Sequence, residues 1–365
     1  MSSFLEKLAH PFSVLFKSEG GSVIGLDFGA SAIKVVQARK KAGRAVLETY
    51  GELYLGPYGD LEIGRATNLL PETIGKALED LFREAGVTSR RASVGVPLRS
   101  TLVTHVTLPM HDERNLPAMI ALEARKYIPL SPNEITLDWI LIPQPKDELG
   151  TKDVPKAEVV LVAIQNSILR TLGSILKTAK IQTDSYEVEI FSAARSVVGD
   201  ELEPVVVVDI GAGLTKISIV DYGIPRLSHT IMRGSQDLSL ALSRARNISF
   251  DAAESSKRDE GITAISEIAY SPVLDFIFFE AGQLLSTYEK KVNRTIKKGV
   301  FIGGGALLTG LLPRVEKRFK VPVELGNPFA RLEAPAFLAP VLAQAGPEFA
   351  VAVGLVLKEL SQIEN

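Results

Sequence analysis

The chain has 365 residues, of which 46% are hydrophobic and 23% charged, and its formal net charge is −2. This length can bury one large core or, more readily, two domains, and the near-neutral charge gives no electrostatic basis for nucleic-acid binding. Cysteine is absent and the four histidines have no metal-ligand spacing, which excludes disulfides, thiolate chemistry and a histidine metal site. Because no apolar run approaches the ~20 residues of a membrane helix and no signal peptide opens the chain, we expect a cytoplasmic protein.

Residues 1–21 are predicted to be a separate amphipathic leader. Apolar residues between Phe4 and Phe16 recur at roughly helical spacing, and Pro11 interrupts them because it lacks an N–H and clashes with the preceding turn. Basic and acidic residues are balanced here, which predicts only weak attraction to anionic lipid. Two interpretations stay open: a leader that rests on the body of the protein, or a contact with a membrane or a partner.

Residues 22–106 are predicted to form part of a first domain, which opens with a β-hairpin. The stretch from Ile24 to Val36 places Asp27 at the end of one apolar run and a lysine in the next run, with a turn of small residues between them. Such a turn lets backbone N–H groups close on a ligand without interference from side chains. A helix is predicted from Pro71 to Ala85.

Residues 107–186 are predicted to be an inserted subdomain of helices and strands. The predicted elements are a helix to Tyr127, strands at Thr136–Ile142 and Glu158–Ile164, and a helix at Ile168–Ala179. A charged loop, 143–156, separates the two strands. We expect Trp139 to pack in the core rather than to carry a ligand.

The pattern of the first hairpin returns in residues 187–360, the predicted second domain. The run from Asp209 to Lys216 repeats the acid, the glycine, the alanine and the lysine in the same register, half the chain later. One such turn is usually only a tight connection between strands. Two copies in register predict two related domains that face one ligand.

Two helices with small residues are predicted to meet. The helix from Tyr186 to Val198 carries Ala193 and Ala194, and the last helix carries Ala350 and Gly354 one turn apart. Small residues let another helix approach closely, so we expect these helices to cross and to form the hinge between the domains.

Between these two helices, the sequence predicts a long helix and a glycine-rich turn. The helix is predicted from Pro272 to Arg294, with a core face formed by Phe276, Phe278, Phe279 and Leu285. A strand that ends at Ile302 then runs into three glycines, 303–305. This is either a plain β-to-α turn or a place where backbone approaches a flat base or sugar that any Cβ would block.

These pieces, in this order, resemble the actin-like ATPase fold over about residues 22–360. That fold is α/β, with duplicated ribonuclease H-like domains that each contribute a phosphate hairpin, and here with a small inserted α+β subdomain. No P-loop and no strand–G-x-G-x-x-G–helix unit is present.

Within that fold the chain resembles the PilM family of type IV pilus assembly, which is related to FtsA. The stretch Leu122-Glu123-Ala124-Arg125-Lys126-Tyr127-Ile128-Pro129-Leu130 carries the E-A-x-x-Y-I-P signature of that family, and an acidic, apolar strand with Trp139 follows it. Further similar runs are Gly346–Leu355 and Asp251–Lys257. The inserted subdomain lies where PilM and FtsA carry their SHS2-like subdomain.

The resemblance implies an ATP and Mg²⁺ site built from both hairpins. Asp27 and Asp209 would face the metal, and Asp209 would also take part in catalysis. Lys34 would be the cation on the phosphates and Thr215 a hydroxyl near them. Backbone N–H groups would come from Gly29, Ala30, Ser31, Gly211, Ala212 and Gly213, and the adenosine would pack on Gly303, Gly304, Gly305 and Leu307.

The resemblance also implies roles for three charged residues, each with a plainer alternative. Glu254 and Lys257 would lie at the ribose and base, but at this spacing they share a helix face and could be an ordinary ion pair. Glu189 would orient a water, as in heat-shock chaperones, or would be a solvated or hinge-bonded acid. Because Ala30 and Ala212 replace hydroxyl or acidic residues that actin uses, we expect ATP hydrolysis to be slow at most.

The function that the resemblance implies is an ATP-binding scaffold of the pilus inner-membrane assembly complex. In the PilM family, the groove between the first domain and the inserted subdomain receives the cytoplasmic N-terminal peptide of PilN, an inner-membrane protein. Here the groove would be lined by Leu122, Glu123, Tyr127 and Ile128. The protein would then be cytoplasmic and peripheral at the inner membrane through its partners, with other pilus assembly proteins and self-association as further contacts.

Two alternative functions are open to a protein of this fold. An FtsA-like cell-division filament protein would end in a basic amphipathic helix, whereas residues 361–365 are short and acidic. A small-molecule kinase of the same fold would need a substrate pocket with a catalytic base, and no convincing kinase motif is present.

Overall fold

Thirteen strands run through the part of the chain that the computed structural model describes, which is residues 21–109, 116–128, 131–142 and 156–363. The leader at 1–20 and the charged loop at 143–155 lie outside these residues. In chain order the strands are β1 (Val23–Phe28), β2 (Ala32–Lys41), β3 (Arg44–Tyr54), β4 (Arg91–Val96), β5 (Thr101–Pro109), β6 (Ile135–Leu141), β7 (Lys156–Gln165), β8 (Gln182–Val188), β9 (Val205–Ile210), β10 (Thr215–Asp221), β11 (Ile224–Ile231), β12 (Lys298–Ile302) and β13 (Val323–Leu325).

The helices alternate with these strands as in an α/β protein. They are α1 (Pro71–Glu84), α2 (Leu116–Ala124), α3 (Asn166–Thr178), α4 (Glu189–Val197), α5 (Ser235–Arg246), α6 (Phe250–Glu260), α7 (Ala264–Val292), α8 (Leu311–Phe319), α9 (Ala339–Ala345) and α10 (Ala350–Gln362). The first residue of α1 is Pro71, whose missing N–H costs nothing at that position.

Two five-stranded sheets share one topology, which confirms the predicted duplication. The first has the order β3-β2-β1-β4-β8 and the second the order β11-β10-β9-β12-β13. In each sheet the first three strands are antiparallel and the last two run parallel to the central one. The central strand β9 opens with four buried valines, as expected for a strand covered on both faces.

The inserted subdomain is an antiparallel sheet of order β5-β7-β6 that spans Thr101–Gln165. One face is covered by the buried side of α2, and the other contributes Val160 and Val162 to the core of the first domain. Trp139 packs partly buried against the α2 side. The predicted bounds, 107–186, are therefore shifted, because α3 packs on α1 and β8 pairs with β4 in the first sheet.

Helices α4 and α10 cross in close contact, as the small residues predicted. A Cβ on Gly354 would lie 1.8 Å from the main-chain oxygen of Ser192, so only glycine fits at the crossing. The Ser196 hydroxyl donates to the Ala350 carbonyl over 2.7 Å, and Ala193 and Ala194 pack in the same cluster as Ala350. Their action as a hinge stays a prediction.

Helix α7 buries a narrower face than the sequence suggests. Phe278 and Leu285 are in the core, but Phe276 and Phe279 are 46% and 50% exposed, so the prediction that all four are core residues is wrong. The helix covers the second sheet with one stripe, and these two rings lie on its opposite side. It also starts at Ala264, after a Thr263 cap, and continues through Pro272.

Two described segments, Ala264–Val292 and Ala336–Gln362, have the length and hydropathy of a membrane span, although no such run was expected from the sequence. Within the fold, α10 packs on α4 and β1, and α7 packs on β10 and β11. The most apolar stretch of the segment that ends in α10 is 61% buried inside the protein, whereas that of the segment in α7 is 33% buried.

Candidate functional site

A cavity of about 590 Å³ lies between the two large sheets, where the turns of both hairpins meet. Asp27 and Asp209 line this one cavity from opposite sheets. The other predicted site residues that line it are Gly29, Ala30, Ser31, Lys34, Glu189, Gly211, Ala212, Gly213, Glu254, Lys257, Gly303, Gly304, Gly305 and Leu307. Residues from both halves of the chain are thus brought together at one place.

The first hairpin forms one wall of the cavity. Asp27 in β1 is paired across the ladder with Lys34 in β2. The Lys34 ammonium lies 3.2 Å from a carboxylate oxygen of Glu52 in β3. Burial raises the pKa of Asp27 to about 6, although Lys34 and Lys216 oppose the shift. This wall therefore holds a carboxylate whose charge is costly in the protein as it stands.

The second hairpin forms the opposite wall and is more tightly paired. The Lys216 ammonium is 2.6 Å from Asp209 Oδ2 and 2.6 Å from Glu189 Oε2. Burial alone would lower the pKa of Lys216, but the charges of Asp209 and Glu189 outweigh it and raise that pKa. The other oxygen of Glu189 accepts a hydrogen bond of 2.7 Å from the Leu98 N–H, so both of its oxygens are engaged.

The two turns present backbone donors to the cavity. Within the described residues, the N–H groups of Ala30, Ser31, Ala212 and Gly213 have no hydrogen-bond acceptor, and all four residues line the cavity. Successive unpaired N–H groups in turns of this kind form anion-binding concavities.

Two of the three glycines after β12, Gly303 and Gly305, are required by the protein itself. A Cβ on Gly303, which has φ +81°, would lie 2.6 Å from the Ile210 carbonyl oxygen, whereas a Cβ on Gly304 would meet only the end of the flexible Glu348 side chain, at 2.7 Å. A Cβ on Gly305 would meet the side chain of Ile210 at 2.3 Å. Gly303 and Gly305 thus let β12 pack against the second hairpin, a reason for glycine besides the two that the sequence predicts.

Glu254 and Lys257 form the ion pair of the plainer interpretation and also line the cavity, while their place at a ribose and base stays a prediction. Their side chains are 2.7 Å apart and almost fully buried. Glu254 also accepts from the Ser239 hydroxyl at 2.5 Å and from Arg258 Nε at 2.7 Å. Burial lowers the pKa of Lys257, against the pull of Glu254.

Several cavity residues were not predicted from the sequence. Those with charged or phenolic side chains include Glu52, Tyr54, Lys216, Arg258 and Glu348. Burial and the neighbouring Glu52 raise the pKa of the Glu348 carboxyl. Lys216 was visible only as part of the repeated pattern. Thr215 differs from its prediction, because its side chain is fully buried and its hydroxyl donates to the Arg233 carbonyl over 2.9 Å.

A loop of the first domain crosses the mouth of the cavity to the second domain. The Ala66 N–H donates to Gln236 Oε1 over 3.0 Å, and the Arg65 guanidinium lies 4.9 Å from the centre of the Phe250 ring. These contacts tie the two domains together beside the cavity.

The carboxylates of Asp27 and Asp209 could hold a metal ion only if other groups supplied most of its ligands. Within the described ranges, no group of three or more aspartate, glutamate or histidine side chains forms a metal site of its own. One oxygen of Asp209 is already bound by Lys216. Oxygen donors fit Mg²⁺, which keeps several waters and takes one or two carboxylates besides phosphate oxygens. The residues fit such a water-held ion.

The predicted groove residues divide into two groups. Leu122 is 65% and Tyr127 44% exposed, and Glu123 pairs with Lys126 at 2.7 Å. Ile128, in contrast, is buried in the core of the inserted subdomain under α2. Its side chain therefore supports the surface rather than forming it.

Comparison with known proteins gives one family and one fold. The family model for "Type IV pilus assembly protein PilM" matches residues 25–360. The cell division protein FtsA of Streptococcus pneumoniae serotype 2 (strain D39 / NCTC 7466) is 22% identical over 355 residues, covering 84% of this chain and 76% of FtsA.

Solved structures of other proteins share the fold of this chain. A PilM–PilN type IV pilus biogenesis complex superposes with a TM-score of 0.78 at 24% identity, covering 93% of this chain and 98% of the other. MreB 5 of Spiroplasma citri bound to AMPPNP superposes with a TM-score of 0.51 at 12% identity, covering 94% and 97%. These matches confirm the predicted fold class.

Proposed function

Because the chain belongs to the PilM family of type IV pilus assembly proteins, we propose that it is an ATP-binding scaffold that docks the cytoplasmic peptide of a PilN-like membrane protein. The observation that carries the nucleotide half is the convergence of Asp27 and Asp209 on one cavity. The protein would lie in the cytoplasm and reach the inner membrane through its partners.

The cavity matches the chemistry of a nucleoside triphosphate. Its volume falls in the range of ~300–1,000 Å³ that is usual for small-molecule sites. Four unpaired N–H groups and the ammonium groups of Lys34 and Lys216 would face the phosphates. Arg258, Glu254 and Lys257 lie on the α6 side, where the ribose and base would rest. The MreB 5 structure named above is bound to AMPPNP, which supports the same use of the fold.

Mg²⁺ fits this proposal as an ion held by phosphate oxygens and water, with Asp27 and Asp209 facing it. When bound, the ion would neutralise phosphate charge. Glu189 and Asp209 are the proposed catalytic residues for any hydrolysis. Since both oxygens of Glu189 are engaged, by Lys216 and by the Leu98 N–H, we expect turnover to be slow.

Equilibrium binding of a fluorescent ATP analogue tests the nucleotide half. Gly213→Val would place a branched side chain against Ala66, which a Cβ alone would approach to 3.1 Å, at the turn that offers free N–H groups. We expect its affinity to fall by at least about tenfold, or 1.4 kcal/mol. Unchanged affinity would show that the nucleotide does not bind between the hairpins.

The partner half rests on the family and on the exposed face of α2. The structure that superposes with the TM-score of 0.78 is a PilM–PilN complex. Leu122 and Tyr127 offer exposed apolar surface next to Glu123, and exposed aromatic and apolar side chains are typical peptide anchors.

Calorimetric titration with the N-terminal peptide of a PilN-like protein tests the partner half. Leu122→Ala and Tyr127→Ala should each weaken binding by about tenfold. Ile268→Ala is the matched control, because Ile268 is 79% exposed on α7, in the second domain. Undiminished binding by both α2-side variants would remove these residues from the groove.

The match to FtsA supports a second candidate, a filament-forming protein. Sedimentation with and without ATP distinguishes it. Nucleotide-dependent pelleting at micromolar concentration would favour filaments, and a constant sedimentation coefficient would favour the scaffold.

A further inference from the structure

The Lys216 side chain is buried in the cavity between two acidic side chains. Its ammonium is 2.6 Å from Asp209 and 2.6 Å from Glu189, and only 12% of its side chain is exposed. Asp27 lines the same cavity from the opposite wall. A single fixed cation is therefore shared by two carboxylates that border the proposed phosphate site.

The corresponding lysine of the first hairpin has a different partner. Lys34 is paired across the ladder with Asp27, as Lys216 is with Asp209. Yet the Lys34 ammonium bonds Glu52, on the neighbouring strand, at 3.2 Å. The two hairpins are alike in sequence and backbone, but their equivalent lysines pair with different carboxylates.

The role of Lys216 follows from the charges of Asp209 and Glu189, which it pairs with. A buried carboxylate is stable only when it is paired, and a lone buried charge costs several kcal/mol. Without Lys216, both Asp209 and Glu189 would be uncompensated beside a triphosphate. A divalent cation would then be needed to offset the repulsion.

We infer that Lys216 is a positioning residue that acts as a built-in cation, holding Asp209 and Glu189 in place and supplying beside the phosphates a charge that the protein would otherwise take from a divalent ion. This inference rests on the proposed function. It follows that ATP binding depends only weakly on Mg²⁺. It also follows that Glu189 is kept from a hydrolytic water while Lys216 is in place.

The experiment measures the Kd of a fluorescent ATP analogue with Mg²⁺ and with EDTA. When Mg²⁺ is removed, the affinity of the wild type for the analogue should fall by less than about threefold, and that of Lys216→Met by at least about tenfold. Lys216→Arg retains the charge and should restore the wild-type ratio. Lys177→Met, on the exposed side of α3, controls for the loss of one positive charge.

A second variant keeps the test decisive if Lys216→Met does not fold. Lys216→Met combined with Glu189→Gln removes one charge of each sign, and thermal unfolding checks that it is native. It should show the same increased Mg²⁺ dependence, because the cation is gone and Asp209 remains. A native double variant with the wild-type Mg²⁺ ratio would overturn the inference.

Failure of the inference can be distinguished from failure of the proposed function. A wild type that binds ATP but needs Mg²⁺ as strongly as Lys216→Met does would overturn the role of Lys216 alone. A wild type that binds no ATP in either buffer would overturn the nucleotide site itself.

Discussion

Replacing Gly354 by alanine should destabilise the protein, although alanine is the better helix former. Gly354 lies inside α10, at the point where α10 crosses α4. A Cβ there would lie 1.8 Å from the Ser192 carbonyl oxygen and 2.4 Å from its carbon. Both neighbours are backbone atoms of a buried helix, so they cannot turn aside as a side chain could.

The magnitude follows from three contributions. Relieving the overlap requires the helices to separate, and overpacking of a core typically costs 1–3 kcal/mol. Separation also weakens the Ser196 to Ala350 hydrogen bond and the one from Arg195 to the Gly354 carbonyl, each worth about 1 kcal/mol. The gain in helix propensity from Gly to Ala returns about 1 kcal/mol. With both hydrogen bonds lost, the expected net loss is about 2–4 kcal/mol.

Urea unfolding followed by circular dichroism measures this loss as a shift of the midpoint at constant m-value. Gly282→Ala is the matched control, because Gly282 is in the interior of α7 and an added Cβ would meet no atom within 4 Å. That variant should be more stable by about 0.5–1 kcal/mol. If Gly354→Ala were stabilised like Gly282→Ala, the close crossing of the two helices would be refuted.

Three further predictions address the hinge, the groove and the mouth of the cavity. Burial alone would raise the pKa of Glu187, but the neighbouring Arg195 outweighs burial and lowers that pKa from 4.5 to about 2. The ionised Glu187 therefore stabilises the fold fully above pH 4.5, and this stabilisation is lost as the pH falls toward 2. Between pH 5 and pH 3, Glu187→Gln should therefore lose about 2 kcal/mol less unfolding free energy than the wild type, and parallel pH profiles would contradict this. Ile128→Ala should cost about 2–4 kcal/mol in urea unfolding and Tyr127→Ala less than about 0.5, since only Ile128 is buried; equal losses would be evidence against the assigned burial. Gln236→Ala removes the acceptor of the Ala66 N–H and should speed release of a fluorescent nucleotide in stopped flow by about 2–10-fold, whereas an unchanged rate would exclude this contact from gating.

Elements with local signals could be predicted from the sequence. The repeated hairpins follow from acids and small residues at fixed offsets, and α1 follows from Pro71 and the apolar face behind it. Strand β8 could not be predicted, because its sequence from Gln182 to Val188 is largely polar. It is a strand only through pairing with β4, more than 80 positions away. Missing it placed the end of the inserted subdomain too late.

The site shows the same division between local and long-range information. Lys34 and Lys216 occupy equivalent positions in two similar hairpins, so the sequence gives no reason to distinguish them. Their partners, Glu52 and Glu189, come from a neighbouring strand and from a helix, and only the folded chain brings these charges within bonding distance. Composition and spacing therefore identify the residue types of the site but not its ion pairs.

Helix α4 links the crossing to the cavity by covalent geometry. Its first residue is Glu189, which bonds Lys216, and one turn later Ser192 lies against Gly354 of α10. A helix of this length is stiff, so a shift at the crossing must also move the Glu189 carboxylate. Gly354→Ala should consequently change nucleotide affinity as well as stability. Ile128→Ala, in the separate core of the inserted subdomain, should change stability without altering that affinity.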